Sequence, residues 1–147
     1  MGAVFFVQSQ FMRLVISGSS SLADKMKYWR DHMEESGYEI LDWPKGIEES
    51  SFEESFPGVH RRFYEAIGTA DMLFVPNEEK NGQAGYIGAG VFAEISFAMG
   101  LNFIRETKIK VVILNRPSEE SHFYEDIIRW EKYAWLEIGS PLRRPVI

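Results

Sequence analysis

Three short apolar runs set the terms on which this chain can fold. MRLVIS (12–17), ADMLFVP (70–76) and KVVIL (110–114) are continuous and rich in Val, Ile and Leu, instead of alternating with polar residues. Strands buried on both faces read this way, and such strands belong to parallel sheets covered by helices. The intervening stretches have helical periodicity. Leu22, Met26, Trp29 and Met33 fall on one helical face, with Ser21 as its cap, Asp24 completing a short capping box and Gly37 as its stop. Tyr38–Asp42 reads as a second strand, ended by Pro44. Val59, Phe63, Ala66 and Ile67 mark a second helix, and Val91, Ile95, Ala98 and Leu101 a third that starts near Ile87–Gly90 and runs to about Gly100. Phe123, Ile127, Ile128 and Trp130 mark a fourth, Tyr133–Ile138 a fifth strand, and 139–147 a tail that caps the sheet or meets a partner chain. Residues 43–58, with Glu48, Glu49, Glu53 and Glu54 around isolated Phe and Ile anchors, read as a loop or broken helix, either a lid or a solvated acidic face.

Alternation at this spacing implies an α/β fold: a single-domain, flavodoxin-like or Rossmann-like three-layer sandwich with a roughly five-stranded parallel sheet and right-handed crossovers. A chain of 147 residues with 45% hydrophobic residues is large enough to bury roughly 69% of its extended surface. The domain is expected over 12–147. Residues 1–11 form a leader or an extra edge segment, with Met12 an equally good natural start.

Composition removes several functions. Without cysteine there is no disulfide framework, thiolate nucleophile or cysteine metal site. His32, His60 and His122 are too widely spaced for a histidine metal centre, although carboxylate-bound Mg²⁺ stays open. A net charge of −6 disfavours a polynucleotide partner, which needs a basic stripe. No 18-residue apolar stretch and no basic leader are present, which predicts a cytoplasmic protein with no membrane span or secretory signal.

In an open parallel sheet, ligands bind beyond the carboxyl ends of the strands. Three segments are expected there: Gly18–Ser21, Asn77–Gly90 and Asn115–Ser121. The first, SGSSS, offers backbone N–H groups and hydroxyls at a helix start, either as an anion-facing loop through Ser19 and Ser20 or as ordinary capping. It matches neither GxxxxGK[ST] nor GxGxxG. Asn115 and Arg116 are ligand contacts or simple loop residues. NGQAGYIGAGVFAE places glycines at 82, 85, 88 and 90 ahead of Glu94, allowing close backbone approach to a ligand. Glu94 falls beside Ile95 at the margin of a buried helical face, where an acid is costly unless paired or functional. A carboxylate there suits a nucleophile or base; the alternative is a boundary Glu holding an Arg or reaching solvent. Asp71, just before a strand, reads by itself as a turn residue.

RLVISGSS, TADMLFVPN and NGQAGYIGAGVFAEISFAMGLN, in that order, resemble the nucleoside 2-deoxyribosyltransferase-like superfamily, which includes nucleoside and nucleotide N-glycosidases. The resemblance spans about Met12–Leu114. It implies that Glu94 is the catalytic nucleophile at C1′ and that Asp71 positions the substrate and takes part in protonating the base. Gly18, Ser19, Ser20, Gly85, Tyr86, Gly88, Gly90 and Asn115 are then substrate contacts. It also implies a small nucleoside or nucleotide substrate, no metal or organic cofactor, and a homodimer or higher homo-oligomer. The chain departs from the pattern in having Gly88 where the transferases carry an aspartate, and in lacking a tyrosine in SGSSS. An enzyme of this kind requires Glu94 and Asp71 to face one cleft. The other readings are a binding module without turnover and an interaction protein using the acidic segment 48–54.

Overall fold

Residues 11–142 are described by a computed structural model in which strand and helix alternate throughout. The elements are β1 (Arg13–Ile16), α1 (Ala23–Glu35), β2 (Glu39–Asp42), α2 (Phe52–Thr69), β3 (Met72–Val75), α3 (Ala89–Ile104), β4 (Lys110–Ile113), α4 (Tyr124–Lys132) and β5 (Glu137–Ile138). Residues 1–10 of the expected leader and 143–147 of the expected tail lie outside the described residues. All four strand pairings are parallel, in the order β2-β1-β3-β4-β5. This is the flavodoxin-like order, which reverses direction between β1 and β3.

Side chains alternate across the sheet, so each central strand feeds two cores. Leu14, Ile16, Met72, Phe74 and Val112 face Met26 and Met33 of α1. Val15, Leu73, Val75, Val111 and Ile113 face Ile67 of α2, Ile95 and Ala98 of α3, and Ile127 of α4. One helix on one face and three on the other complete the three layers. Behind β5 the chain returns to the α1 side, where Leu142 packs against that core and the Tyr38 hydroxyl donates to the Pro141 carbonyl (3.1 Å).

Several boundaries differ from the sequence-based expectation. Ser21 does not cap α1: it lies inside a 3₁₀ turn, Ser20–Leu22, that leads into the helix, and its hydroxyl meets that of Ser19 (2.7 Å). The segment expected as a broken helix forms the first turns of α2, seven residues ahead of Val59, with Pro57 inside the helix. A proline so close to the start removes one N–H donor, and packing of Phe63, Ala66 and Ile67 against the core holds the helix across it. Gly100 does not stop α3, because Leu101 beyond it is buried. β5 shrinks to two residues after Ala134, whose φ of 60° turns the chain.

Phe74 is fully buried and meets the Trp29 ring edge-on at 5.3 Å. Phe74→Ala is expected to lower stability by about 3–5 kcal/mol, read as a lower urea midpoint at unchanged slope.

Candidate active site

Each strand of a parallel sheet delivers its last residues to the same edge. Ser17 follows β1, Asp42 ends β2 and Asn77 lies just past β3. Ser17 is fully buried, and its hydroxyl donates to Glu94 Oε1 at 2.7 Å. Glu94 reaches that hydroxyl because the glycine-rich segment lets α3 start at Ala89 with Gly88 as its N-cap residue, which places Glu94 in the second turn over the end of β1. Two connected lobes meet at this carboxyl group, of about 360 Å³ and 440 Å³. Both are bounded by Gly18, Ser20, Phe56, His60 and Glu94. The first continues along Ser19, Asn77, Glu78, Tyr86, Gly88 and Gly90. The second continues along Asp42, Trp43, Phe52, Arg62 and Phe63.

The electrostatics follow from burial. Desolvation pushes the Glu94 carboxyl up to about 7 from an ordinary 4.5; the Ser17 hydrogen bond opposes the rise and the charge of Asp42 adds to it. Burial and the Glu94 charge also raise the Tyr64 hydroxyl. Lys80 lines neither lobe but contacts two residues of the first: its Nζ donates to Ser19 Oγ (3.2 Å) and stands 4.9 Å from the centre of the Tyr86 ring. Lys80 is presented by a hairpin, Lys80–Gln83, whose central Asn81 and Gly82 both have positive φ (52° and 78°), the requirement of a tight two-residue turn. No group of three or more His, Asp or Glu among the described residues converges to hold a metal ion.

The structure thus brings Gly18, Ser19, Ser20, Tyr86, Gly88, Gly90 and Glu94 to one cleft. Three other expected site residues stand elsewhere. Asp71 precedes β3 at the amino edge of the sheet, about 13 Å of strand away from the cleft. There it accepts from the Arg13 backbone N–H (2.8 Å), pairs with the Arg13 side chain (3.5 Å) and ties the starts of β1, β3 and β4 together. The expected Glu94–Asp71 pairing does not exist; the other carboxyl groups of the cleft are Asp42 in the second lobe and Glu78 in the first. Asn115 lines neither lobe. It exchanges hydrogen bonds with buried Asn77: its N–H donates to Asn77 Oδ1 (2.8 Å), its Nδ2 to Asn77 O (3.0 Å), and its carbonyl accepts from Asn77 Nδ2 (2.6 Å). Gly85 also serves this junction, accepting from Asn77 Nδ2 (3.2 Å). At φ 62° its missing Cβ would lie 2.6 Å from the Arg116 carbonyl oxygen, so glycine there permits loop-on-loop packing.

Sequence reasoning missed Ser17, Asp42 and His60, and it held Asn77 and Lys80 only as members of the segment Asn77–Gly90. Asp42 and Ser17 had one available signal, their position at the carboxyl ends of strands. His60 had none, since nothing local indicates that α2 begins early enough to overhang the cleft.

A cleft at the switch point of a doubly wound sheet, with a partly buried carboxyl group at its centre, belongs to an α/β domain of the flavodoxin-like class. The chain matches no protein-family model and no curated protein. Among solved structures it is similar to that of the Clostridium botulinum CMP N-glycosidase BcmB, with 16% identity over 88% of this chain and 90% of that one and a TM-score of 0.49. That likeness is too distant to carry chemistry from one chain to the other. No helix among the described residues is long and apolar enough to cross a membrane.

The raised Glu94 has a consequence for stability. A carboxyl group whose folded pKa exceeds its unfolded one binds its proton more tightly when folded, so stability falls as pH rises from about 4.5 through about 7. The charged form then costs the fold of order 3 kcal/mol above that window. Glu94→Gln carries no such cost. It is expected to be more stable than wild type at pH 8 by up to about 3 kcal/mol, with the gap closing towards pH 5, in urea unfolding at the two pH values.

Proposed function

We propose that this protein cleaves or transfers at the N-glycosidic bond of a (deoxy)nucleoside or nucleoside 5′-monophosphate, with Glu94 as the nucleophile. One observation carries the reading: a partly buried carboxyl group, which accepts a hydrogen bond from the Ser17 hydroxyl, stands where two lobes of the cleft meet. A substrate with a planar base and a polar sugar has two unlike halves, joined at the carbon to be attacked. The lobe beside Trp43 and Phe52 suits the base. The lobe beside Ser19, Ser20 and Lys80 suits the sugar and an anionic 5′ substituent.

In the first step a Glu94 carboxylate oxygen bonds to C1′ while the C1′–N bond breaks. Its electron pair passes to the base nitrogen, which takes a proton from solvent water. The transition state is oxocarbenium-like, and the carboxylate both stabilises that charge and forms the covalent intermediate. In the second step water, or the nitrogen of a second base, attacks C1′ and releases Glu94, and the attacking atom gives up its proton. Asp42 is the carboxyl group at the cleft placed to receive it. Ser17 acts through Glu94 as a positioning residue: it fixes one carboxylate oxygen and leaves the other for attack.

Asp71 stands at the far edge of the sheet, so the proposal rests on Glu94 with Asp42 in place of the expected Glu94–Asp71 pair. The loss of that pair favours a second reading, a nucleotide-binding module without turnover. Release of free base from a panel of nucleosides and 5′-monophosphates separates the two. The glycosidase reading expects release by wild type and a loss of at least about 10³-fold in Glu94→Ala, the scale of removing an essential catalytic group. Equal rates in the two proteins would sink it, and ligand-induced melting shifts without release would establish the binding module.

Because the nucleophile must be ionised, kcat/KM is expected to rise with pH through about 7. Ser17→Ala removes the hydrogen bond that holds the Glu94 pKa down, so the acidic limb of its profile should move to higher pH. Lys80→Ala should lower kcat/KM for 5′-monophosphates about tenfold, the scale of one charge-assisted hydrogen bond, and leave nucleosides nearly unaffected.

A further inference from the structure

Four charged side chains border the second lobe of the cleft: Asp42, Lys45, Arg62 and Glu94. Three of them are engaged. Asp42 pairs with Lys45 at 3.8 Å, and Glu94 accepts from Ser17. Arg62 takes part in none of the ion pairs among the described residues. Its guanidinium folds back one turn along α2 over Gly58, where a Cβ would stand 3.2 Å from Arg62 Nη1. The glycine therefore leaves the space beside the fork. Arg62 borders the second of the two lobes only, whereas Phe56, His60 and Glu94 border both. A substrate whose sugar carbon meets Glu94 at the junction thus turns the far edge of its base towards the guanidinium.

The rest of the lobe suits a wide planar ring. Phe52, Phe56 and His60 recur every four residues, and their rings stack along α2 in a row with centres 5.1 Å apart at each step. Phe52 and Phe56 are each 42% exposed, and Trp43 and Phe63 complete the aromatic wall. An arginine fork at the end of such a slot matches two neighbouring acceptors. The 6-oxopurines present that pair as O6 and N7, on an edge remote from the sugar. Adenine has an amino donor in place of O6, which meets the fork donor to donor. Uracil and thymine separate their carbonyls by an N–H. Cytosine offers O2 and N3, but its O2 flanks the glycosidic nitrogen, on the Glu94 side of the lobe.

We infer that Arg62 selects a 6-oxopurine, guanine or hypoxanthine, by donating two hydrogen bonds to O6 and N7. The inference rests on the placement of the base in the second lobe under the glycosidase reading. It also gives Arg62 a part in the reaction. As the C1′–N9 bond breaks, its electron pair spreads over the purine onto N7 and O6, so the hydrogen bonds from the guanidinium strengthen in the transition state. Arg62 stays protonated throughout, and the proton taken by the departing base comes from solvent water.

The test separates recognition from turnover. Calorimetry on the Glu94→Gln protein measures binding of inosine, guanosine, adenosine and cytidine, each also as the 2′-deoxynucleoside and the 5′-monophosphate. The two 6-oxopurines are expected to bind at least about tenfold more tightly than adenosine and cytidine, the scale of one bidentate arginine contact. Adding Arg62→Gln should level the four affinities. Arg62→Lys, which keeps the charge and loses the fork, should level them too. Arg62 is exposed, so both changes should leave the melting temperature unaltered. In protein that retains Glu94, Arg62→Gln should lower kcat for inosine and guanosine at least about tenfold and leave the other two nearly unchanged, whereas a merely structural role would lower all four alike. Equal binding of inosine and adenosine, a preference for adenosine or cytidine, or discrimination that survives Arg62→Gln would overturn the inference and leave the glycosidase reading to stand on base release. A panel in which nothing binds overturns it as well. Selective binding of the 6-oxopurines without base release would support Arg62 as the selector and overturn the glycosidase reading alone.

Discussion

The architecture turns on keeping one carboxyl group at the inner rim of an apolar core. Glu94 sits one residue from fully buried Ile95, where charge is poorly solvated, and among the described residues its carboxyl group accepts a hydrogen bond from Ser17 at the end of β1. That bond joins the first strand to the third helix across the reversal point of the sheet. It also sets the electrostatics, because burial and Asp42 push the carboxyl group towards its neutral form while Ser17 pulls it back. A group left near the midpoint of its titration at neutral pH is costly to the fold and useful to chemistry, which is the usual signature of a site.

Around that bond, the loops divide between structure and access. Asn77 and Asn115 satisfy each other's polar groups where the chain leaves β3 and β4, and Gly85 lets the two loops touch. This rigid junction supports the hairpin that presents Lys80 to Ser19. Glycines in one short segment therefore do different work: Gly85 serves packing, Gly88 lies against the Tyr86 ring, and Gly90 leaves open space at the start of α3.

Helix α2 links the cleft to the outside of the molecule. Its early start carries Phe52, Phe56 and His60 over the cleft, and the same residues form the aromatic row that faces outward.

Much of the fold was legible in the chain alone. Continuous apolar runs at 12–17, 70–76 and 110–114 require strands covered on both faces, and the helical spacing of Leu22–Met33 and Val91–Leu101 supplies the cover. Glu94 was also legible, because an acid beside Ile95 on an otherwise apolar helix conflicts with its surroundings wherever it lies. The edge of the sheet was legible too, since parallel alternation puts Asp71, before β3, at the amino edge and Asp42, at the end of β2, at the cleft. Local sequence could not show which loops meet. Pro57–Gly58 reads as a break until packing of Phe63, Ala66 and Ile67 holds the helix through it. By itself the sequence determined the elements, their alternation and the one misfit acid, because periodicity and burial cost are local properties. Tertiary structure alone decided the partners of that acid, since strand order and loop contacts join residues as distant as Ser17 and Glu94.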